Sequence, residues 1–231
     1  MQARGSGLSH QTRSTMKIGI IGGTFNPIHL AHLRIAEEVR DRLGLERVIF
    51  IPAARPPHKE PDDYLSFAHR LAMVRLAIED NPAFSVSSLE EELGGTSYSV
   101  HTLTELRSLY PGDELYFIIG SDSYRDISSW YRYRELFSLT NLAVVERPGA
   151  EITDLRTPLT VAMAGEFCYD SDSLRLTHRS GFSVCYLAGI PLAISSSEIR
   201  RLARSGNSLR YLLPDRVAGY IEEQRIYRAC T

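Results

Sequence analysis

The chain predicts a single α/β domain built on a doubly wound, mostly parallel sheet. Three observations carry that expectation. Short apolar, β-branched runs at residues 17–21 (KIGII), 47–52 (RVIFIP), 114–120 (ELYFIIG), 141–146 (NLAVVE) and 182–187 (FSVCYL) read as buried strands, with helical stretches between several of them. The first run ends at Gly22 and Gly23 and gives way to a helix, the strand, glycine turn and helix unit that builds phosphate sites. With 231 residues, 43% of them hydrophobic, the chain is long enough to bury one sizeable core.

Charge and cysteine usage exclude several classes. A formal net charge of −2 argues against a nucleic-acid surface, and no long single-sign run suggests a membrane patch. Only two of the 26 Lys and Arg residues are lysines, Lys17 and Lys59, which marks each for inspection. Cys168, Cys185 and Cys230 are odd in number and far apart, giving neither a disulfide framework nor metal-type spacing, as suits a reducing cytoplasm. Residues 1–15 are polar and lack the apolar core of a secretory signal, and no run is long enough to span a bilayer. They read as a disordered N-terminal extension, with 16–231 as the folded domain.

Taken in order, the first helix follows Thr24, Phe25, Asn26 and Pro27. Ile28, Leu30, Leu33, Ile35, Ala36 and Val39 form its apolar face, and Glu37, Glu38, Arg40 and Asp41 the wet one. Two glycines let the backbone approach a ligand, and a helix start offers unpaired N–H groups with a partial positive charge. His29 and His32, three residues apart, share a face of the first turn within reach of an anion there. Neither G-x-G-x-x-G nor a P-loop ending is present. By itself the unit is equally an ordinary turn before a surface helix.

Residues 53–64 (AARPPHKEPDDY) form a proline-rich loop carrying Lys59 beside His58, and loops that follow parallel strands carry ligand groups. A helix starts at Ser66, and residues 84–87 form a short strand. Glu90, Glu91 and Glu92 read as a solvated rim. Gly94 and Gly95 then open a turn into a helix capped by Ser97 or Ser99, whose free N–H groups suit a carboxylate. The strand at 114–120 ends on Gly120, Ser121 and Asp122, which sets a carboxylate at the ligand-binding edge of an open sheet.

Trp130 and Tyr131 follow in a polar setting (SSWYRYRE), where a buried anchor is less expected of a lone tryptophan. Arg147, Pro148 and Gly149 close the strand at 141–146. Residues 150–181 show no clear periodicity and read as an insertion or loose connection. At 194–200 (ISSSEIR), Ser195 and Glu198 have capping-box spacing while Ser196 and Arg200 share a face, a second anion site. Pro214 starts the closing helix.

The string GGTFNPIHLAH at 22–32 resembles the G-G-T-F-D-P-[IV]-H-x-G-H signature of the nucleotidyltransferase α/β phosphodiesterase superfamily. PPHK at 56–59, SYS at 97–99, Gly120-Ser121-Asp122 with Trp130, RPG at 147–149 and ISSSEIR narrow the resemblance to bacterial nicotinate-nucleotide adenylyltransferases. The departures are Asn26 for Asp, Ala31 for Gly, Ser99 for Thr and His101 for Asp.

The resemblance implies a Rossmann-like nucleotidyltransferase fold in a cytoplasmic enzyme of NAD biosynthesis. Its substrates would be the small molecules ATP, with Mg²⁺ on its phosphates, and nicotinate mononucleotide; its products would be nicotinate adenine dinucleotide and pyrophosphate. It implies that Gly22, Gly23, Thr24 and Phe25 cradle the nucleotide, with Gly120, Asp122, Ser195 and Ser196 beside it. His29 and His32 would hold ATP phosphates, His32 nearest the α-phosphate, and Arg200 and Lys59 the β- and γ-phosphates. Trp130 would stack the pyridine ring, Tyr98, Ser99 and Tyr131 would surround its carboxylate, and Arg147 would hold the mononucleotide phosphate.

Such a transfer needs no general base, because the attacking phosphate is already ionised, and no strong acid, because the leaving group is pyrophosphate. That agrees with a sequence offering no Ser/His/Asp set. A protein metal site at His29 and His32 is not expected, since no third ligand is in sight. Alternatives are an adenylyltransferase acting on phosphopantetheine or nicotinamide mononucleotide, or a nucleotide-binding module without catalysis. A homo-oligomer is left open.

Overall fold

Strands and helices alternate from Lys17 onward. The first half contains β1 (Lys17–Gly23), α1 (Leu30–Leu43), β2 (Arg47–Pro52), α2 (Phe67–Ile78), β3 (Phe84–Val86), α3 (Leu89–Leu93), α4 (Ser99–Leu109) and β4 (Glu114–Gly120). The second contains α5 (Ser121–Arg125), α6 (Tyr133–Leu136), β5 (Asn141–Val145), α7 (Val161–Ala164), β6 (Phe167–Asp170), β7 (Arg175–His178), β8 (Ser183–Leu187), α8 (Ser196–Arg204) and α9 (Asp215–Glu223). This computed structural model describes residues 14–57, 60, 64–189 and 193–228. Residues 1–13 of the expected extension, His58 and Lys59 of the loop, and Cys230 lie outside the described residues.

The strands form one eight-stranded sheet in the order β3-β2-β1-β4-β5-β8-β7-β6. Neighbours from β3 to β8 are parallel, as the continuous apolar runs predict, while β8, β7 and β6 pair antiparallel. Side chains alternate across it: Ile18, Ile20, Leu115, Phe117 and Ile119 enter one buried layer, Ile21 and Ile118 the other. The chain lays down β2 and β3 on one side of β1, then β4 and β5 on the other. That reversal opens a crevice at the carboxyl ends of β1 and β4. No helix among the described residues is long and apolar enough to cross a membrane.

Two sequence expectations are refined. Gly22 and Gly23 do not break the strand before them but are the last two residues of β1, pairing in register with Ile51 and Pro52, because a glycine keeps the backbone groups that a ladder needs. Within residues 150–181, expected as an insertion or loose connection, the structure adds detail the sequence did not show: α7 and the β6–β7 pair that widens the sheet. Each of those strands has four residues with one side solvated, too short a run for alternation to show.

Candidate active site

The crevice is a cleft of about 1070 Å³ whose wall includes Gly22, Thr24, His32, Trp130, Arg147 and Arg200. At one end lies the turn after β1. Phe25 there is buried and holds φ at 48°, a left-handed conformation that costs a non-glycine residue about 1 kcal/mol or more. Side chains from distant elements tie the turn's carbonyls. Arg70 Nη1 donates to Thr24 O at 2.8 Å, Arg200 Nη1 to Asn26 O at 2.8 Å, and Ser196 Oγ to Pro27 O at 2.8 Å. Tyr227 Oη adds a bond to Asn26 Oδ1 at 2.6 Å. Asn26 therefore keeps a hydrogen-bonding role where the resembling family has an acid.

The histidine pair stands next to this turn. His29 is the extended N-cap of α1 rather than a helical residue, with φ at −148°. Its backbone N–H donates to His32 Nδ1 at 3.2 Å, and the two rings stack with centroids 3.7 Å apart. Because Nδ1 of His32 accepts, the proton of its neutral ring belongs on Nε2, which makes that atom a donor. Burial, and then the charge of Arg147, pushes His29 down from 6.5 to about 4. Burial, His29 and Arg147 likewise hold His32 well below the usual histidine range. Both imidazoles are therefore neutral at pH 7 before any anion arrives. His32 forms part of the cleft wall, while His29 backs it from behind.

Arg147 is built in from both sides. Its N–H donates to Ser121 Oγ at 2.8 Å, which ties the end of β5 to the start of α5. Its Nε is buried with no hydrogen-bond partner among the described residues. A Cβ on Gly120 would come within 2.2 Å of Asp122 Oδ1 and 3.1 Å of that Nε, so a larger residue at this sheet edge would have to displace both side chains. Asp122 itself is exposed in the first turn of α5, where its Oδ1 accepts from the Ser123 N–H at 2.9 Å, and it stands outside the wall of the cleft; the N-cap of α5 is Gly120. Ser195 is also outside the wall and caps α8, with its Oγ accepting from the Glu198 N–H at 3.2 Å. Glu198 does not complete the expected box, because its carboxylate pairs with Arg201.

The other end of the cleft is aromatic. Half-buried Trp130 packs edge-on to Phe117, with centroids 6.3 Å apart. Tyr98 and Tyr131 stack at 4.5 Å, and His101 meets both rings edge-on. Here α4 begins, but neither expected serine caps it. Tyr98 is the N-cap, and Ser97 Oγ instead accepts the Arg55 N–H at 2.9 Å, joining the 53–65 loop to this helix start. The first N–H groups of α4, at Ser99 and Val100, have no partner within the helix.

Two features, one in the cleft wall and one supporting it, escaped sequence reasoning. Glu90 is not part of a solvated rim: its Oε1 accepts from Thr102 Oγ1 at 2.7 Å, and its Oε2 is buried in the cleft wall without a partner among the described residues. A helical period admits one of three adjacent glutamates to the cleft, which a charge run conceals. Arg70 is the other, a fully buried arginine in the apolar face of α2. A lone charge inside that periodic face was the available signal, since an unpaired charge is not left in a core.

Residues 20–202 match the family model described as cytidylyltransferase-like, which assigns this sheet and its crevice to a known class of nucleotidyltransferase fold. A protein of Geobacter metallireducens named "Probable nicotinate-nucleotide adenylyltransferase" is 62% identical over 212 residues, covering 92% of this chain and 98% of the relative. One from Geotalea daltonii matches with the same identity and coverage. The chain belongs to the cytidylyltransferase-like family and, within it, to the nicotinate-nucleotide adenylyltransferases. The fold is shared with the Plasmodium falciparum nicotinic acid mononucleotide adenylyltransferase complexed with NaAD, at a TM-score of 0.70 and 20% identity over 92% of this chain and 97% of that one.

Proposed function

We propose that the protein transfers the adenylyl group of ATP to nicotinate mononucleotide, releasing pyrophosphate and forming nicotinate adenine dinucleotide. One observation carries the reading: a single cleft joins a hydrogen-bond-donating turn flanked by His32 and Arg200 to an aromatic end around Trp130, with Arg147 close to the histidines. The acceptor's phosphate must lie against the α-phosphorus of ATP, so a cation for that phosphate belongs beside the histidine pair, where Arg147 stands.

The backbone of Gly22 to Phe25 cradles the triphosphate, and Arg200 meets its outer phosphates from α8. His32 Nε2–H donates to the α-phosphate, and negative charge there favours the imidazolium that burial, His29 and Arg147 disfavour. Trp130 stacks the pyridine ring, Tyr131 borders it, and the first N–H groups of α4 beside Tyr98 and Ser99 take the carboxylate. Lys59 is assigned to the phosphates from its place in the sequence. The turn at residues 22–29 carries no carboxylate, so Mg²⁺ would be held through the triphosphate and would supply charge neutralisation at the leaving pyrophosphate.

The test is pyrophosphate release with ATP and Mg²⁺, offering nicotinate mononucleotide, nicotinamide mononucleotide and phosphopantetheine in parallel. Fastest release with nicotinate mononucleotide, by about tenfold or more, is expected from an added charge-assisted contact. Preference for phosphopantetheine would keep the phosphate end and discard the roles given to Tyr98, Ser99, Trp130 and Tyr131.

A further inference from the structure

Phe25 keeps its positive φ in a turn where a relaxed alternative lies one peptide flip away. Rotating the Thr24–Phe25 peptide turns ψ of Thr24 and φ of Phe25 together by about half a turn, which would bring Phe25 to the relaxed negative side. The same rotation reverses the carbonyl of Thr24 and the N–H of Phe25, which point in opposite directions across a planar trans peptide. A cleft wall offering an N–H would then offer a carbonyl oxygen, which repels phosphate.

We infer that Arg70 is a positioning residue for the triphosphate: its buried guanidinium holds the Thr24 carbonyl and so fixes the peptide orientation that presents the Phe25 N–H on the opposite side. The guanidinium is itself fixed at several points. Nε donates to Leu65 O at 2.9 Å, Nη1 to Thr24 O at 2.8 Å and Nη2 to Ala54 O at 3.4 Å, while the Tyr64 and Phe67 rings lie 5.1 and 5.6 Å from its carbon. No carboxylate forms a salt bridge with it among the described residues; these three acceptors are backbone carbonyls. A planar fork of donors can serve three carbonyls at once, and a lysine ammonium of the same charge cannot match that geometry. Burying such a charge is costly, and what it secures is the backbone of the turn.

The placement of the triphosphate rests on the proposed function, so the test reads binding separately from turnover. Calorimetry with α,β-methylene-ATP and Mg²⁺, and separately with nicotinate mononucleotide, is run on the wild type and on Arg70→Lys. Binding of the triphosphate should weaken about tenfold or more in the variant, and that of the mononucleotide by about twofold or less, as loss of a charge-assisted hydrogen bond at one end predicts. Equal losses for both ligands, or none for either, would overturn the inference. Should Arg70→Lys not fold, Arg70→Ala is measured with millimolar guanidinium chloride against sodium chloride of equal strength. Triphosphate binding should return only with guanidinium, and its failure to return would also overturn the inference. Absence of turnover in a wild type that binds the triphosphate would count against the proposed reaction and leave this result standing.

Discussion

The two ends of the cleft are built differently. At the phosphate end, one short turn is held by side chains from α2, α8 and the C-terminal segment, and its histidines, His29 buried and His32 half-buried, are neutral. At the acceptor end, rings stack on one another, and Tyr131 is 49% exposed. The phosphate end is pre-organised, as electrostatic stabilisation of a charge-shifting step requires, whereas the acceptor end supplies mostly contact area. Changes at the first should therefore appear in kcat or in ATP binding, and changes at the second in KM for the mononucleotide.

The largest effect is expected at His32. His32→Ala should lower kcat by about 10²–10³-fold, the usual cost of removing one transition-state donor, with little change in KM for nicotinate mononucleotide. A rise in that KM with kcat preserved would erase the distinction between the two ends.

Next comes acid sensitivity. The folded state keeps His29 near 4 against 6.5 when free, so its stabilising contribution is full above pH 6.5 and is lost as pH falls from 6.5 towards 4. The loss across that window is of order 3 kcal/mol. Urea unfolding of the wild type and of His29→Asn at pH 7 and pH 4.5 measures it: the wild type should lose more stability than the variant. Equal losses would place the acid sensitivity elsewhere.

Trp130→Ala should raise KM for nicotinate mononucleotide by about tenfold and leave that for ATP within about twofold, since a stacking surface is lost at one end only. The smallest effect is at the Glu90–Thr102 pair in the cleft wall. Thr102→Val removes the hydroxyl held by Glu90 and should cost about 1–2 kcal/mol in urea unfolding, because the carboxylate is then left wholly unpaired. Adding Glu90→Leu to Thr102→Val should recover most of the loss, and no recovery would show that the pair is not the source.

The same contrast decides what was legible in the sequence. The phosphate end is mostly contiguous: residues 22–32 supply the turn and both histidines, and spacing alone brings Ser196 and Arg200 to one face of α8. The parallel strands were legible because burial on both faces leaves continuous apolar runs. Arg70 was not, because its partners are backbone carbonyls of Thr24, Ala54 and Leu65, and carbonyls carry no residue type. Ser97 misled because a hydroxyl before a helix usually caps it, and here the Arg55 N–H takes it. Glu90 needed Thr102, twelve residues further on, before its carboxylate had a reason to face the cleft.

The central claim is that the α-phosphorus of ATP moves to the acceptor. ATP labelled at either its α- or its γ-phosphate, incubated with the protein, Mg²⁺ and nicotinate mononucleotide, tests it directly. The account predicts that α-label appears in the dinucleotide and γ-label in pyrophosphate; γ-label in the nucleotide product, with α-label left in ADP, would contradict it.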